Sequence, residues 1–222
     1  MDSDDALGAT IPAIGRLALA YAPAAARQPT LALLALDARL AGLLRRSSEP
    51  MLAQLRLAWW RESLDREAAE WPAGEPIFAA LQNGWSGHHR DLAPLVDGWE
   101  ALTAPPPMTA AVVDAFATGK SQACAALARV TGRDTDAPAA AVLGRIWALE
   151  DLAMRLSRSD EREAVAALVA AEPRRLPRVG RALRPLRVLA GLARRRREAG
   201  EESAASSPQA MLHALRLGLL GL

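Results

Sequence analysis

The residues best suited to chemistry lie around a pair of tryptophans, Trp59 and Trp60, with an arginine on either side, Arg56 and Arg61. A guanidinium stays charged and can bind a carboxylate or a phosphate through two parallel hydrogen bonds. At helical spacing Arg56 falls in a narrow lane between two apolar stripes, with little room for solvent. Two interpretations of Arg56 remain open: it binds an anion or a partner, or it is a buried arginine that pairs with Glu67 and stacks on Trp60.

Further along the chain, Asp97, Glu100, Lys120 and Gln122 are polar candidates for ligand or partner binding. Asp97 and Glu100 are three residues apart, so they share one face of a helix. A metal site needs more ligands than this pair supplies, and a solvated surface pair is the simpler interpretation. We assign no catalytic residue and predict no metal site.

Helices must position these residues, because the composition of the 222-residue chain favours helix throughout. Apolar residues make up 51% of the chain and are mostly Ala and Leu, whereas aromatic residues make up only 4%. No stretch has the alternating pattern of a strand. We predict an all-α fold in which residues 1–222 form a single domain, a bundle of about eight to ten helices.

The helix that carries both tryptophans is predicted to begin near Glu49. Ser47 and Ser48 can cap its amide groups, and Pro50 suits a first helical turn because it lacks an N–H group. Its apolar residues form two stripes, so we expect the helix to be packed on two flanks. One stripe comprises Met51, Leu52, Leu55, Ala58 and Trp59, and the other comprises Ala53, Leu57, Trp60 and Leu64.

Helices before and after this one complete the bundle. A first helix is predicted over residues 4–21 and a second over residues 30–44, with Pro23 and Pro29 on either side of a break. A last helix is predicted to start at Pro208. Its apolar stripe is suited to docking on the body of the protein and comprises Met211, Leu212, Leu215 and Leu219.

The basic residues cluster in one segment, Arg174 to Arg197, although the formal net charge of the chain is only +2. A basic amphipathic helix can bind an acidic lipid surface, nucleic acid or an acidic partner, or its charged face can simply be solvated. The segment has neither a helix-turn-helix signature nor interleaved aromatic residues. Nucleic acid is therefore not the expected partner.

Cys124 is the only cysteine, so an internal disulfide and a cysteine-rich metal site are excluded. Residues 1–5 are acidic, unlike a signal peptide, and no apolar run is long enough for a transmembrane segment. We expect a cytoplasmic protein, either free in solution or peripheral to the inner membrane.

Residues 33–64, LLALDARLAGLLRRSSEPMLAQLRLAWWRESL, resemble the second and third helices of squalene/phytoene synthases. The chain is most similar to bacterial members and to the mitochondrial branch of complex I assembly factors. These proteins typically have, in this order, a serine, a glutamate, a Leu-Arg pair and two aromatic residues followed by a basic residue. Shorter stretches resemble the family in the same order, as far as LHALRLGLLG near the end. The resemblance implies a helical bundle of the isoprenoid synthase type over most of the chain.

Active members of this family share two helical motifs with aspartates at i and i+4, which hold the Mg²⁺ ions that bind a prenyl diphosphate. At the matching positions this chain has Ala41 and Arg45, then Arg155 and Ser159, with Asp151 where an asparagine is usual. Two arginines in place of two ligands would repel Mg²⁺. The resemblance thus implies a scaffold that lost its metal site, with Arg45, Arg155 and Asp151 as candidates for binding an anion or filling the former cavity.

The resemblance implies a non-catalytic protein that acts like an assembly factor, without a cofactor, by binding a partner protein or an isoprenoid lipid at the inner membrane face. Asp97, Glu100, Lys120 and Gln122 would then face the former cavity. The alternative is an active prenyl transferase that uses farnesyl or geranylgeranyl diphosphate with Mg²⁺. A second alternative, based on the basic segment, is a helical protein that binds nucleic acid or an acidic membrane surface.

Overall fold

The predicted all-α fold is confirmed by the computed structural model, which describes residues 3–46, 49–200 and 208–220 and contains no β-strand within these ranges. Short 3₁₀ turns connect several of the helices, and a π-helical turn, Arg216–Leu220, follows the last one. The α-helices are α1 (Ser3–Thr10), α2 (Ala13–Leu19), α3 (Ala24–Arg46), α4 (Pro50–Asp65), α5 (Pro76–Gly84), α6 (Ala93–Ala101), α7 (Ala110–Val130), α8 (Ala137–Ala153), α9 (Ser159–Ala171), α10 (Arg184–Ala199) and α11 (Pro208–Leu215).

The first two helices differ from the prediction. Residues 4–21 form two helices rather than one, because Pro12 cannot donate the hydrogen bond that would continue α1 into α2. The predicted break at Pro29 is wrong, since α3 begins at Ala24 and runs through this proline. Pro29 is buried, and its carbonyl oxygen accepts a hydrogen bond of 2.9 Å from the indole of Trp85. This contact between segments far apart in the sequence fixes Pro29 in the core, although it does not replace the N–H group that proline lacks.

Local side-chain chemistry explains where several helices start. The Thr109 hydroxyl accepts a hydrogen bond of 3.3 Å from the amide of Val112 at the start of α7. Pro50 and Pro185 lie in the first turns of α4 and α10. This position suits proline because the backbone N–H groups of a first turn have no partner within the helix. The predicted caps Ser47 and Ser48 lie outside the described residues.

Close helix packing holds α7 between α6 and α8, while α8 packs in turn on α10. A Cβ atom on Gly119 of α7 would overlap the carbonyl oxygen of Pro94 and lie 3.0 Å from the Cα atom of Gly98 on α6. Only glycine permits this approach of the two backbones. Because Lys120 is the next residue, the same contact carries its side chain into the core, where it is 2% exposed.

Helix α4 packs on one flank only, and the prediction of two buried flanks is wrong. Its second stripe, Ala53, Leu57, Trp60 and Leu64, is buried. The first stripe faces solvent at four positions, which we call the α4 face: Met51, Leu52, Leu55 and Trp59, with exposed fractions of 69%, 43%, 62% and 42%.

The stripe predicted to dock α11 on the body is also exposed. Met211, Leu212, Leu215 and Leu219 all face solvent. The buried contacts are made instead by Ala210, Ala214 and Leu217. Small alanines on the buried side of α11 allow close approach to α10, and Leu217 from the π-helical turn after α11 completes the interface. None of the described helices has the length and apolar character needed to cross a membrane.

Candidate functional site

A cavity of about 80 Å³ lies between α3 and α8. Ala41 and Arg45 line it from the C-terminal half of α3, Asp151 lines it from α8, and Arg155 lines it from the turn that follows α8. Most of the remaining lining is apolar: Leu34 on α3 and Trp147 on α8 contribute to it, and Ile14 of α2, Trp99 of α6 and Leu189 of α10 close the other sides. The structure therefore brings the predicted residues Arg45, Asp151 and Arg155 together at one small cavity.

A buried ion pair closes the inner end of this cavity. The ammonium nitrogen of Lys120 lies 3.1 Å from Oδ2 of Asp37, and the indole nitrogen of Trp99 donates to Oδ1 of the same carboxylate at 2.9 Å. Lys120 Nζ also lies 3.8 Å from the ring centroid of Trp147, a cation–π contact. Both charges are compensated within the core, so Asp37 has little capacity left for a metal ion.

Asp151 is held by two arginines at the outer end. It accepts hydrogen bonds from Nε of Arg155 at 3.0 Å and from Nη2 of Arg196 at 2.6 Å. Burial opposes ionisation of this carboxyl group, but the charges of Lys120, Arg155 and Arg196 outweigh burial and lower its pKa. Asp151 is thus a carboxylate with basic partners already in place.

Glu150, the preceding residue of α8, is 1% exposed and points toward α10. It accepts a hydrogen bond of 3.1 Å from Nε of Arg194 and another from Nε of Arg197. The three carboxylates nearest to this cavity, Asp37, Asp151 and Glu150, are therefore each paired with a basic side chain.

The geometry does not favour a metal ion at this cavity. Within the described ranges, no group of three or more His, Cys, Asp or Glu side chains is arranged to hold one. A divalent cation would also meet Arg45, Arg155 and Arg196, which line the cavity. At an effective dielectric constant of about 20, each guanidinium about 5 Å away repels a dication by several kcal/mol.

The other predicted polar residues lie elsewhere. Arg61 donates from Nε to Oδ1 of Asp97 at 2.5 Å and from Nη2 to Glu100, which ties α4 to α6 at the surface. Gln122 is exposed on α7. None of these four residues lines the cavity, although Asp97 and Glu100 do share a helix face as predicted.

The interpretation of Arg56 as a buried residue is wrong, because its side chain is exposed. Glu67, its predicted partner, accepts a hydrogen bond of 2.8 Å from Arg90 instead. Trp60 is buried against Phe78 with ring centroids 4.9 Å apart, whereas Trp59 belongs to the α4 face. The lane that holds Arg56 is open to water because one of its two bordering stripes has no covering helix.

Several contributors to the cavity were not among the predicted site residues, and the polar and aromatic ones are Asp37, Trp99, Trp147 and Arg196. Their roles depend on contacts between helices distant in the sequence, which periodicity does not report. The one available signal was that Lys120 is the only lysine in a chain of arginines. A lysine ammonium group is more compact than the planar guanidinium of arginine, so it can fit between two indole rings.

Comparison with known proteins gives no match: no family model, curated protein or solved structure is significantly similar to this chain.

Proposed function

We propose that this protein is a non-catalytic relative of the squalene/phytoene synthases that acts as an assembly factor does, by binding a partner protein. The observation that carries the proposal is the pairing of both carboxylates that line the central cavity. Asp37 is paired with Lys120, and Asp151 is paired with Arg155 and Arg196. A prenyl transferase of this type needs such carboxylates free to hold Mg²⁺.

The size of the cavity supports a protein partner over an isoprenoid lipid. Pockets for drug-sized ligands usually have volumes of about 300–1,000 Å³. The cavity here has a volume of about 80 Å³, enough for a few water molecules. Paired side chains occupy the space that a prenyl chain would need.

The α4 face supplies a surface for the partner. Met51, Leu55 and Trp59 recur every four residues, which aligns them along one side of the helix, with Leu52 beside them. Exposed apolar side chains at this spacing are typical of helix-to-helix recognition, and Met and Trp are enriched in protein interfaces.

The charges on α4 distinguish the partner from a membrane. Its exposed charged residues are one base, Arg56, and two acids, Glu62 and Asp65. A helix that binds an anionic lipid surface needs an excess of basic residues along its polar side. The α4 face therefore suits the apolar side of a partner helix.

Deletion of the gene tests the proposal, with assembly of respiratory complex I as the readout. Assembly should fail and should be restored by the wild-type gene. The Leu55→Glu variant should not restore it, because a charge would enter the proposed interface. Leu212→Glu on α11 is the matched control, since both leucines are 62% exposed, and this variant should restore assembly. Normal complex I and an unchanged quinone pool after deletion would overturn the proposal.

A further inference from the structure

A second pocket, of about 600 Å³, lies between α10, α11 and the connection that precedes α10. We call it the basic pocket. Among the residues that the structure describes, its charged lining contains a single carboxylate, Glu198, against six arginines. One of these, Arg194, is paired with Glu150 in the core. The other five are Arg174, Arg175, Arg178, Arg187 and Arg195.

Arg187 lies at the base of the basic pocket and is only 7% exposed. Among the described residues its Nε atom has no hydrogen-bond acceptor. Burial lowers the pKa of Arg187, and the neighbouring charges of Arg178 and Arg184 lower it further. A buried guanidinium N–H without an acceptor is unfavourable and uncommon in proteins. A bound anion would supply the missing acceptor and the opposite charge.

The wall of the basic pocket next to α11 also has basic surroundings and a guanidinium N–H without an acceptor among the described residues. Arg195 donates from Nη2 to Gln209 at 2.7 Å, but its own Nε atom also lacks an acceptor. Burial lowers the pKa of His213, as do the charges of Arg195 and Arg216, and the charge of Glu198 does not offset them. Burial and the positive surroundings therefore both favour the neutral form of the His213 imidazole.

The shape of the pocket depends on a glycine. A Cβ atom at Gly191 would overlap a methyl group of Leu217 and lie 3.2 Å from Nε2 of His213. Glycine at this position lets the C-terminal segment lie against α10 while Arg187, one turn earlier, stays in the pocket lining.

We propose that the basic pocket binds a phosphate group, with Arg187 contacting it at the base and Arg178 at the rim. Phosphate combines negative charge with several acceptor oxygens, and arginine is the side chain that matches this geometry. A concave site with a buried guanidinium fits a single phosphate group better than the regular backbone of a duplex. The phosphate could come from a free phosphorylated small molecule or from the headgroup of an anionic lipid.

This site is separate from the α4 face and from the central cavity, so the inference does not depend on the proposed function. The first arm of the test is calorimetric titration of the full chain with inorganic pyrophosphate. The second is sedimentation with phosphatidylglycerol vesicles, with phosphatidylcholine vesicles as the control. Binding in the first arm identifies a soluble phosphate, and binding in the second arm alone identifies a lipid headgroup.

Variants locate the site. Arg187→Met, which removes an unpaired buried charge, should weaken binding about ten- to a hundredfold, the effect of losing one hydrogen bond to a charged group. Arg178→Gln changes an exposed residue and should weaken binding about tenfold even if the first variant folds poorly. Arg66→Met removes the same charge from an exposed position at the end of α4 and should leave binding unchanged.

Two results would overturn the inference. One is the absence of binding to both pyrophosphate and phosphatidylglycerol. The other is an equal loss of affinity in Arg66→Met and Arg187→Met, which would show attraction by net charge alone. Duplex DNA provides a further control. If the protein binds DNA tightly but does not bind pyrophosphate, and Arg187→Met does not weaken the DNA binding, the basic surface would be assigned to nucleic acid. That result would contradict a phosphate pocket.

Discussion

Replacing Lys120 with methionine would leave the carboxylate of Asp37 ionised in the core without its cation. Removing one partner of a buried pair typically costs 3–5 kcal/mol, because the remaining charge is uncompensated, and about 3 kcal/mol is expected here. Two features place the cost at the lower end. Trp99 would still donate to Asp37 at 2.9 Å, and the Asp37 side chain keeps 11% exposure at the cavity, where water can solvate it.

Urea unfolding of a double-mutant cycle measures this effect. Asp37→Asn should cost a similar amount, because it leaves the ammonium group of Lys120 buried without a counter-charge. The double variant Asp37→Asn/Lys120→Met removes both charges and keeps an acceptor for Trp99, so it should unfold within about 1 kcal/mol of the wild type. Additive losses, or a cost below about 1 kcal/mol for Lys120→Met, would show that the pair does not stabilise the core.

Three further predictions follow from burial and packing. Burial raises the pKa of Cys124 to about 12, so iodoacetamide should not label the folded protein at about pH 8.5, the usual pKa of a free thiol, but should label it after unfolding. In thermal unfolding, Gly119→Ala should destabilise the protein by about 1–3 kcal/mol, because the added Cβ atom overlaps the α6 backbone. Gly8→Ala in α1 is the comparison: its Cβ atom meets no atom within 4 Å, so this variant should stabilise the protein by about 0.5–1 kcal/mol. The pKa of Asp151 is lowered in the folded protein, so its ionised carboxylate stabilises the fold above the unfolded-state pKa of about 3.9. This stabilisation is lost as the pH falls through the folded-state pKa. In a plot of unfolding free energy against pH, Asp151→Asn should therefore flatten the decline over this acidic range.

Sequence reasoning succeeded where a residue and its nearest neighbours decide the structure. A threonine side chain caps α7, and prolines occupy first turns in α4 and α10, because the chemistry of these residues acts within one helical turn. The same reasoning failed at Pro29, which lies inside α3 and is buried in tertiary packing that includes a hydrogen bond from the distant Trp85.

Apolar periodicity located helices but not their buried sides. On α4 the stripe with the larger side chains faces solvent, and on α11 the buried contacts come from Ala210, Ala214 and Leu217. A stripe reports that a helix can pack, whereas the neighbouring elements decide whether something covers it. The interpretation of Arg56 as a buried residue, one of the two left open by the sequence, failed for this reason.

The candidate site could be predicted only in part. The sequence identified Arg45, Arg155 and Asp151, since the missing motifs mark their positions, and all three line the cavity. It could not identify the partners, because the Asp37–Lys120 pair and the Asp151–Arg196 contact join helices that are far apart along the chain. The size of the cavity depends on those contacts and was therefore also beyond sequence reasoning.

The proposal of a non-catalytic binding protein, in which basic side chains pair with the carboxylates of the central cavity, is tested most directly by measuring diphosphate release. Purified protein is incubated with farnesyl or geranylgeranyl diphosphate over a range of Mg²⁺ concentrations, and the released diphosphate is measured. We predict no release above the protein-free control for the wild type. Mg²⁺-dependent release that is lost in Asp37→Asn would contradict the claim, because it would show that this carboxylate still serves catalysis.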